Sequence, residues 1–252
     1  MTGNARRVTI LNMLEARGRV SVAELSRLSK VSDMTIRRDL EALEREGVLR
    51  RTRGGAVSAI SLSYEPPYII RKDSNTSAKS RIAQRASEML NEGETAILDV
   101  GTTAVAIAKA LQGRVNLTVL TSNLWAAAIL ADEPGIVLMV TGGTTRARER
   151  SLVGSLATRA FGELVFDVFF LGVAGVHPEF GVTDYNMEEA EVKREAIRAA
   201  QRRIIVADSS KLGKVAFAKI CSLDQIDMII TDSQAPEEVA ALQSEGIDMA
   251  LA

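Results

Sequence analysis

The fold of the amino-terminal part is decided by the stretch SDMTIRRDLEALER, residues 32–45. Its apolar residues Ile36, Leu40 and Leu43 recur at the spacing of one helix face, and the serine at its start is a suitable N-cap. Gly47 then stands where a glycine commonly ends a helix. The pattern predicts a helix that buries one face and presents polar side chains on the other.

Two helices are predicted before this stretch and a hairpin after it. The first helix covers residues 5–17, and the second begins at Ser21, which is also a suitable N-cap. Behind the third helix, residues 48–57 form two short strands around the pair Gly54-Gly55. Three helices and a basic hairpin form a winged helix-turn-helix, which we assign to residues 1–57.

A winged helix-turn-helix places its third helix in the major groove of DNA, where residues near the helix start reach base edges while other groups hold phosphates. The candidate DNA contacts are Ser32, Asp33, Thr35 and Arg38 on bases, Arg37, Arg51 and Arg53 on phosphates, and Ser21 at the start of the second helix. Arg37 and Arg38 can exchange these roles. The alternative interpretation is a solvated helix face in which the arginines pair with Asp39 and Glu41.

This part of the chain resembles the helix-turn-helix signature of the DeoR family of bacterial transcription regulators. The resemblance includes the spacing of ten positions over 35 residues: Arg6, Ile10, Leu14, Ser32, Thr35, Ile36, Arg37, Arg38, Asp39 and Leu40. The wing sequence RRTRGGA, residues 50–56, is similar to that family's wing as well. The resemblance implies a DNA-binding regulator.

The charge of the chain is divided unevenly. The 252 residues include 31 Lys and Arg and 32 Asp and Glu, but residues 1–57 hold 12 of the former and 7 of the latter, so a head of charge +5 precedes a body of charge −6. The near-zero total excludes a wholly basic nucleic-acid binder, whereas the basic head fits one DNA-binding part.

Metal sites and membrane spans are disfavoured by composition. A single histidine, His177, and a single cysteine, Cys221, leave almost nothing for a zinc or iron–sulfur site or an intrachain disulfide. The longest uninterrupted apolar stretch, residues 124–131, is far shorter than the ~20 residues of a membrane span, and no secretory signal is recognisable. We expect a cytoplasmic protein without metal or cofactor, and His177 is predicted to lie at the surface.

Residues 58–74 are predicted as a linker, because they lack a periodic apolar pattern and contain the consecutive prolines Pro66 and Pro67. Residues 75–252 then alternate between helical and strand patterns. Seven segments are predicted as strands: 96–100, 117–120, 136–140, 168–173, 203–207, 228–231 and 247–251. Strands separated by helices predict an α/β domain with a largely parallel, Rossmann-like sheet covered on both faces.

Polar residues follow several of these strands, where ligands of parallel sheets bind. The candidates are Asp99, Gly101, Thr102, Thr103, Thr121, Ser122, Asn123, Gly142, Gly143 and Lys211. Each loop alone fits an ordinary capped turn. Together, the glycine amides, hydroxyls, helix N-termini and lysine favour an anion. Neither nucleotide-binding glycine motif occurs, so we expect a sugar phosphate rather than a nucleotide.

A second polar group contains Asp184 and, on the next predicted helix, Glu189 and Lys193. One interpretation is a surface helix in which Glu189 and Lys193 pair one turn apart. The other is an effector site in which Asp184 and Glu189 bind sugar hydroxyls while Lys193 helps neutralise charge.

The same segments resemble the effector-sensing domain of the DeoR family. They are residues 99–103, 121–123, 142–143, 181–184, 189–190 with Lys193, and 208–211, together with Gly154, Gly172 and Gly175. That domain is similar in fold to ribose-5-phosphate isomerase, and most family members repress sugar or polyol catabolism genes until a phosphorylated intermediate binds. The resemblance therefore implies a repressor with a phosphorylated sugar as its effector.

A repressor of this kind needs two heads to bind double-stranded operator DNA specifically, so we expect a homodimer or homotetramer formed by the 75–252 domain. The alternative is a sugar-phosphate isomerase-like enzyme carrying a DNA-binding head, in which Asp99, Asp184 or Glu189 serves as the base. We favour the regulator and assign no catalytic residue.

Overall fold

The computed structural model describes residues 3–45, 47–59 and 61–252. The chain divides into two compact units, Met1–Ser74 and Asn75–Ala252. None of the described helices combines the length and the apolar content that a membrane span requires.

The amino-terminal unit contains the three predicted helices and the predicted hairpin. Its elements are α1 (Gly3–Arg17), β1 (Arg19–Ser21), α2 (Val22–Ser29), α3 (Asp33–Arg45), β2 (Leu49–Thr52), β3 (Gly55–Ser58) and α4 (Tyr68–Asp73). β3 pairs antiparallel with both β2 and β1, of which β1 was not predicted. Ile10, Leu25, Ile36 and Leu43 are completely buried where the three helices meet.

Gly55 shows why β1 and the hairpin lie so close together. A Cβ at this position would stand 2.0 Å from the carbonyl oxygen of Val20, so only glycine permits the approach of the two strands. The pair Gly54-Gly55 therefore does more than form the turn.

The predicted linker contains a helix, α4, which corrects the expectation of a segment without secondary structure. Pro66 and Pro67 precede α4 and do not interrupt it, since proline is tolerated at a helix start. Tyr68 and Ile70 are buried, and Ile70 belongs to the core of the amino-terminal unit. The linker boundaries stay a prediction, and residue 60 within them lies outside the described residues.

The carboxy-terminal unit is built on one sheet of seven strands, all of them parallel. The strands are β4 (Thr95–Leu98), β5 (Leu117–Thr121), β6 (Ile136–Val140), β9 (Phe166–Leu171), β12 (Ala200–Val206), β14 (Met228–Thr231) and β15 (Asp248–Leu251). Their order in the sheet is β15-β14-β12-β9-β4-β5-β6. The predicted α/β class and parallel sheet are confirmed.

Helices cover both faces of this sheet. One face packs against α5 (Thr76–Glu88), α6 (Thr102–Ala110) and α7 (Leu124–Leu130), and the other against α8 (Ser155–Arg159), α9 (Met187–Arg198) and α10 (Pro236–Ser244). β9 is buried on both sides, with Val168 and Phe170 in the first core and Phe169 and Leu171 in the second. Residues 168–171 of this strand form a continuous apolar run, which is why it was predictable.

Two small antiparallel sheets were missed. β7 (Thr144–Arg146) pairs with β8 (Ser151–Val153), and β11 (Gly181–Asp184) pairs with both β10 (Gly175–His177) and β13 (Ala218–Cys221). Short 3₁₀ turns follow β12 at Ser209–Lys211 and β13 at Leu223–Gln225. The second small sheet matters for function, since β11 ends at Asp184.

Candidate functional site

The start of α3 presents its polar side chains to solvent. Ser32 and Asp33 are exposed, and the Ser32 hydroxyl lies 3.0 Å from that of Thr35 and accepts a 3.3 Å hydrogen bond from the Thr35 amide. Arg37 and Arg38 are exposed and make no hydrogen bond or ion pair with any described residue. The helix start is therefore free to contact another molecule.

Asp39 does not pair with these arginines, so that part of the solvated-face interpretation is wrong. It is buried and accepts a 2.5 Å hydrogen bond from Nε of Arg6, while Nε of Arg7 lies 3.8 Å from its other oxygen. Arg6 is buried as well, at 8% exposure. This buried ion pair joins α1 to α3, and the sequence pattern did not predict it.

Of the two wing arginines predicted to contact phosphates, Arg51 bonds to another described residue and Arg53 does not. Arg51 donates from Nε to Glu44 at 2.6 Å, and its amide donates to the same carboxylate at 2.8 Å. These hydrogen bonds lower the pKa of Glu44 and raise that of Arg51. Arg53 is exposed without a described partner. Ser21 is exposed and caps α2, since its hydroxyl accepts from the Glu24 amide at 3.2 Å.

Some of the candidate effector residues lie where the order of strands in the large sheet reverses, whereas Gly142 and Gly143 follow the edge strand β6. β4 and β9 are neighbours there, and the chain proceeds to one side through β5 and β6 and to the other through β12, β14 and β15. Ligands of open parallel sheets bind at the carboxyl ends of strands at such a point. Asp99 follows β4 and Gly172 follows β9, and the Gly172 amide donates to the Asp99 carboxylate at 2.8 Å.

Lys193 bonds to residues of both loops. Its ammonium group lies 2.9 Å from Oδ2 of Asp99 and 2.6 Å from Oδ2 of Asp184, and it donates to the carbonyl of Gly172 at 2.7 Å. Asp99, Asp184 and Lys193, the Lys193 cluster, are 3–4% exposed. An ammonium has three hydrogens, so these acceptors use all of its donors.

The Lys193 cluster sets two carboxyl groups against one ammonium group, and the pKa values of Asp99 and Lys193 are shifted by burial and by these neighbours. Burial alone would lower the pKa of Lys193, but the carboxylates of Asp184, Asp99 and Glu189 outweigh burial and raise it. Burial raises the pKa of Asp99, against the attraction of Lys193. Lys193 therefore neutralises charges of the protein itself.

Glu189 is 4% exposed and belongs to a second buried group beside this cluster. It accepts hydrogen bonds from the Ser151 hydroxyl at 2.5 Å and from the Arg146 guanidinium, and its amide donates to Asn186, the N-cap of α9. The surface-helix interpretation of Glu189 and Lys193 is wrong, because both side chains are buried and bond to other elements. Arg146 and Ser151 were not predicted as site residues.

The polar residues at the end of β5 and directly after it serve mainly to hold the loops. Thr121 donates to the carbonyl of Leu98 at 2.7 Å and accepts from the Asn123 amide at 3.0 Å. The Asn123 side chain donates to the carbonyls of Asp99 and Gly101 and caps α7. Ser122 is buried, and its carbonyl accepts from the Leu152 amide. Thr121 and Asn123 thus already have partners within the protein.

The remaining candidates lie closer to solvent. Gly101 precedes α6 with φ 90°, no side chain caps this helix, and Thr102 and Thr103 at its start are partly exposed. Gly142 and Gly143 are exposed. Lys211 is partly exposed, with Nζ 6.0 Å from the ring centroid of Tyr185, the residue after Asp184.

The single histidine and the single cysteine both lie in the small sheet formed by β10, β11 and β13. His177 is partly exposed in β10, and its Nδ1 accepts from the amides of Glu179 and Phe180. Burial raises the pKa of the Cys221 thiol to about 12, which keeps it protonated at neutral pH. Within the described part of the chain, no three His, Cys, Asp or Glu side chains form a group that could hold a metal ion.

Comparison with protein families gives two matches. A DeoR-like helix-turn-helix domain matches residues 6–61, and a DeoR C-terminal sensor domain matches residues 74–233.

Individual relatives match along nearly the whole chain. The putative aga operon transcriptional repressor of Escherichia coli O157:H7 is 35% identical over 255 residues, covering 100% of this chain and 95% of the relative. The glycerol-3-phosphate regulon repressor of Escherichia coli K12 is 31% identical over 230 residues, covering 91% of each chain. Among solved structures, ribose 5-phosphate isomerase A of Methanocaldococcus jannaschii matches with a TM-score of 0.42 and 17% identity over 55% of each chain.

Proposed function

The chain belongs to the DeoR family of transcriptional regulators, and we propose that it represses genes of sugar or polyol catabolism until a phosphorylated sugar binds its carboxy-terminal unit. The names of two relatives, an aga operon repressor and a glycerol-3-phosphate regulon repressor, support this class of regulated genes. The rival function, an isomerase-like enzyme, has no support among these relatives, which are named as repressors.

DNA binding is assigned to the start of α3 and to the wing. Arg37 and Arg38 support this assignment, because they stay exposed without partners while the neighbouring Asp39 is withdrawn into a buried pair with Arg6. Free guanidinium groups can reach guanine edges or phosphates without first breaking a bond in the protein. Arg51 must share its guanidinium between Glu44 and a phosphate, so Arg53 is the better wing candidate.

Effector binding is assigned to the loops around the Lys193 cluster. The observation that carries it is that one ammonium group joins the loops after β4 and β9 to the end of β11 at the strand-order reversal. The carboxyl oxygens of this cluster suit sugar hydroxyls, which donate to them, and do not suit a phosphate, because the three donors of Lys193 already have acceptors within the protein. We place the hydroxyls towards Asp99, Asp184 and Glu189 and the phosphate towards the start of α6 and Lys211, where donors are free.

Coupling between the two units requires that the effector prefer one state of the protein over the other. A coupling free energy of about 1 to 3 kcal/mol changes DNA affinity several-fold to about a hundred-fold. Since one small head gives too little specificity, we propose that the DNA-competent state is a homodimer or homotetramer.

The test is binding of the purified protein to its own promoter region, followed by fluorescence anisotropy at fixed salt because phosphate contacts are salt-dependent. Phosphorylated sugars are compared with their unphosphorylated parents. Weaker binding with one phosphorylated compound alone is the expected result. Absence of specific DNA binding under all conditions contradicts the proposal.

Lys211→Ala tests the phosphate position within that assay. We expect it to abolish the response to the phosphorylated sugar while leaving operator binding intact. Lys219→Ala is the matched control, because Lys219 is an exposed lysine of the same unit. A retained response removes Lys211 from the site. The enzyme would be favoured instead if the protein turned over an aldose phosphate and Asp184→Asn abolished that turnover.

A further inference from the structure

The strand β6 forms one edge of the large sheet and carries the sequence Ile-Val-Leu-Met-Val, residues 136–140, without a charged residue. It pairs with β5 on one side, and no described strand pairs with the other. Soluble proteins usually protect such an edge with a charge, a proline or a bulge, because its free amides and carbonyls accept another strand. β6 has none of these.

One face of β6 also lacks cover. Ile136 and Leu138 pack towards the core shared with α6 and α7, and side chains alternate along a strand, so Val137 and Met139 face the other way. Val137 is 63% and Met139 36% exposed. Both faces of a parallel sheet are normally buried. An open edge and an open apolar face therefore coincide on one strand.

The opposite edge of the sheet differs. β15 is four residues long and begins with the exposed carboxylate of Asp248. Arg81 donates from Nε to the carbonyl of Ala252, directly after this strand. The two edges thus differ in charge and in protection, and β6 is the one suited to pairing.

We propose that β6 joins β6 of a second copy of this chain about a two-fold axis, so that one sheet continues through both subunits. A two-fold axis places a strand antiparallel to itself, so any charge in it would lie near the same charge of the partner, and β6 carries none. Centred on Leu138, this pairing sets Val137 opposite Met139 of the partner subunit. Part of this argument rests on the proposed function, which needs two heads.

The test is sedimentation velocity of the full chain over a dilution series, with far-UV circular dichroism as the check on folding. Val137→Lys introduces the charge by which natural edges avoid pairing, and its positive charge falls near the same charge of the partner. We expect a twofold lower mass than the wild type. Leu251→Lys is the matched control, because Leu251 is an apolar residue of the other edge strand with 55% exposure, and it should keep the wild-type mass.

A second variant fixes the register. Met139→Glu alone should also halve the mass, whereas the double variant Val137→Lys, Met139→Glu should restore it, because each lysine then faces a glutamate of the partner. Restoration also excludes misfolding as the cause of dissociation. The proposal is overturned if Val137→Lys keeps the wild-type mass, if Leu251→Lys halves it instead, or if the wild type is a monomer throughout the series.

Operator binding separates this proposal from the proposed function. If the wild type binds its promoter and the Val137→Lys protein binds at least about tenfold more weakly, both stand. If the mass halves as expected but neither protein binds DNA specifically, the interface stands and the repressor assignment fails.

Discussion

The two units use their charged side chains in opposite ways. In the amino-terminal unit, Arg37, Arg38 and Arg53 are exposed and have no described partner. In the carboxy-terminal unit, Asp184 and Lys193 are buried and bond to one another. The exposed arginines are available to a polyanion at once, whereas the buried charges also stabilise the fold. A substitution should therefore reduce DNA affinity in the first unit and stability in the second.

The sharpest test of this difference is Lys193→Met. It leaves the carboxylates of Asp99 and Asp184 buried without a cation, so we expect a loss of about 3 to 5 kcal/mol in the free energy of unfolding. Trp125 is the only tryptophan of the chain and lies in the carboxy-terminal unit, so its fluorescence during urea unfolding follows that unit.

Lys109→Met is the control, because Lys109 is an exposed lysine on α6 and its replacement should change stability by less than about 0.5 kcal/mol. Equal unfolding midpoints for the two variants would contradict this difference between the units, since the Lys193 cluster would then have no structural role.

Arg6→Met tests a buried ion pair of the amino-terminal unit, which is an exception to the exposed arginines of that unit. It removes the buried partner of Asp39, and we expect a loss of about 2 to 3 kcal/mol, less than at Lys193 because Arg7 lies 3.8 Å from the same carboxylate. Hydrogen exchange of the amides in α1 and α3 measures the loss. The exposed Arg27→Met should leave these rates unchanged, and equal rates in both variants would contradict the importance of the pair.

Arg38→Ala should change affinity and leave stability unchanged. If Arg38 reads a base, it costs about 1 to 3 kcal/mol of operator binding and relaxes the preference at one base pair. Fluorescence anisotropy against operators substituted one base pair at a time, at fixed salt, measures both effects.

Arg45→Ala is the control for this variant, because Arg45 is exposed at the other end of α3. A uniform loss on every sequence would assign Arg38 to a phosphate. No loss on any sequence would remove it from the interface.

Ser21→Ala can change both stability and DNA affinity, and its effect should be the smallest of these substitutions. Loss of the N-cap of α2 costs about 1 kcal/mol in stability, whereas Ser21→Gly costs only a few tenths. Thermal unfolding followed by circular dichroism separates the two variants. If both weaken operator binding equally, the hydroxyl contacts DNA, and if neither does, Ser21 is a cap alone.

The elements with strong local patterns were predictable. The face Ile36, Leu40 and Leu43 specifies α3, and short, mostly apolar segments specify the seven strands of the parallel sheet. β10, β11 and β13 were not predictable, because their sequences Gly-Val-His, Gly-Val-Thr-Asp and Ala-Lys-Ile-Cys lack an apolar run and β13 follows β11 only after a helix and another strand. The helix α4 was missed because six residues are too few to show a periodic pattern.

The partners of buried charges were also beyond local patterns. Lys193 bonds to Asp99, which lies much earlier in the sequence of this unit, whereas the spacing of four residues indicated Glu189 as its partner. A signal was present, however. Glu189, Lys193 and Ile197 recur every four residues on the buried face of α9, as Arg6, Ile10 and Leu14 do on α1. A charge on an apolar helix face indicates a buried partner, but not which one.

The adjacency of β4 and β9 also bears on the order in which the chain acquires structure. Gly172 and Asp99, which bond where these strands end, are 73 positions apart, so the centre of the large sheet cannot assemble until more than half of the chain has been synthesised. Contacts of such long range slow folding. The amino-terminal unit, residues 1–74, is compact by itself and can fold while translation continues. Newly made chains therefore pass through a stage with a finished DNA-binding head and no completed sensor.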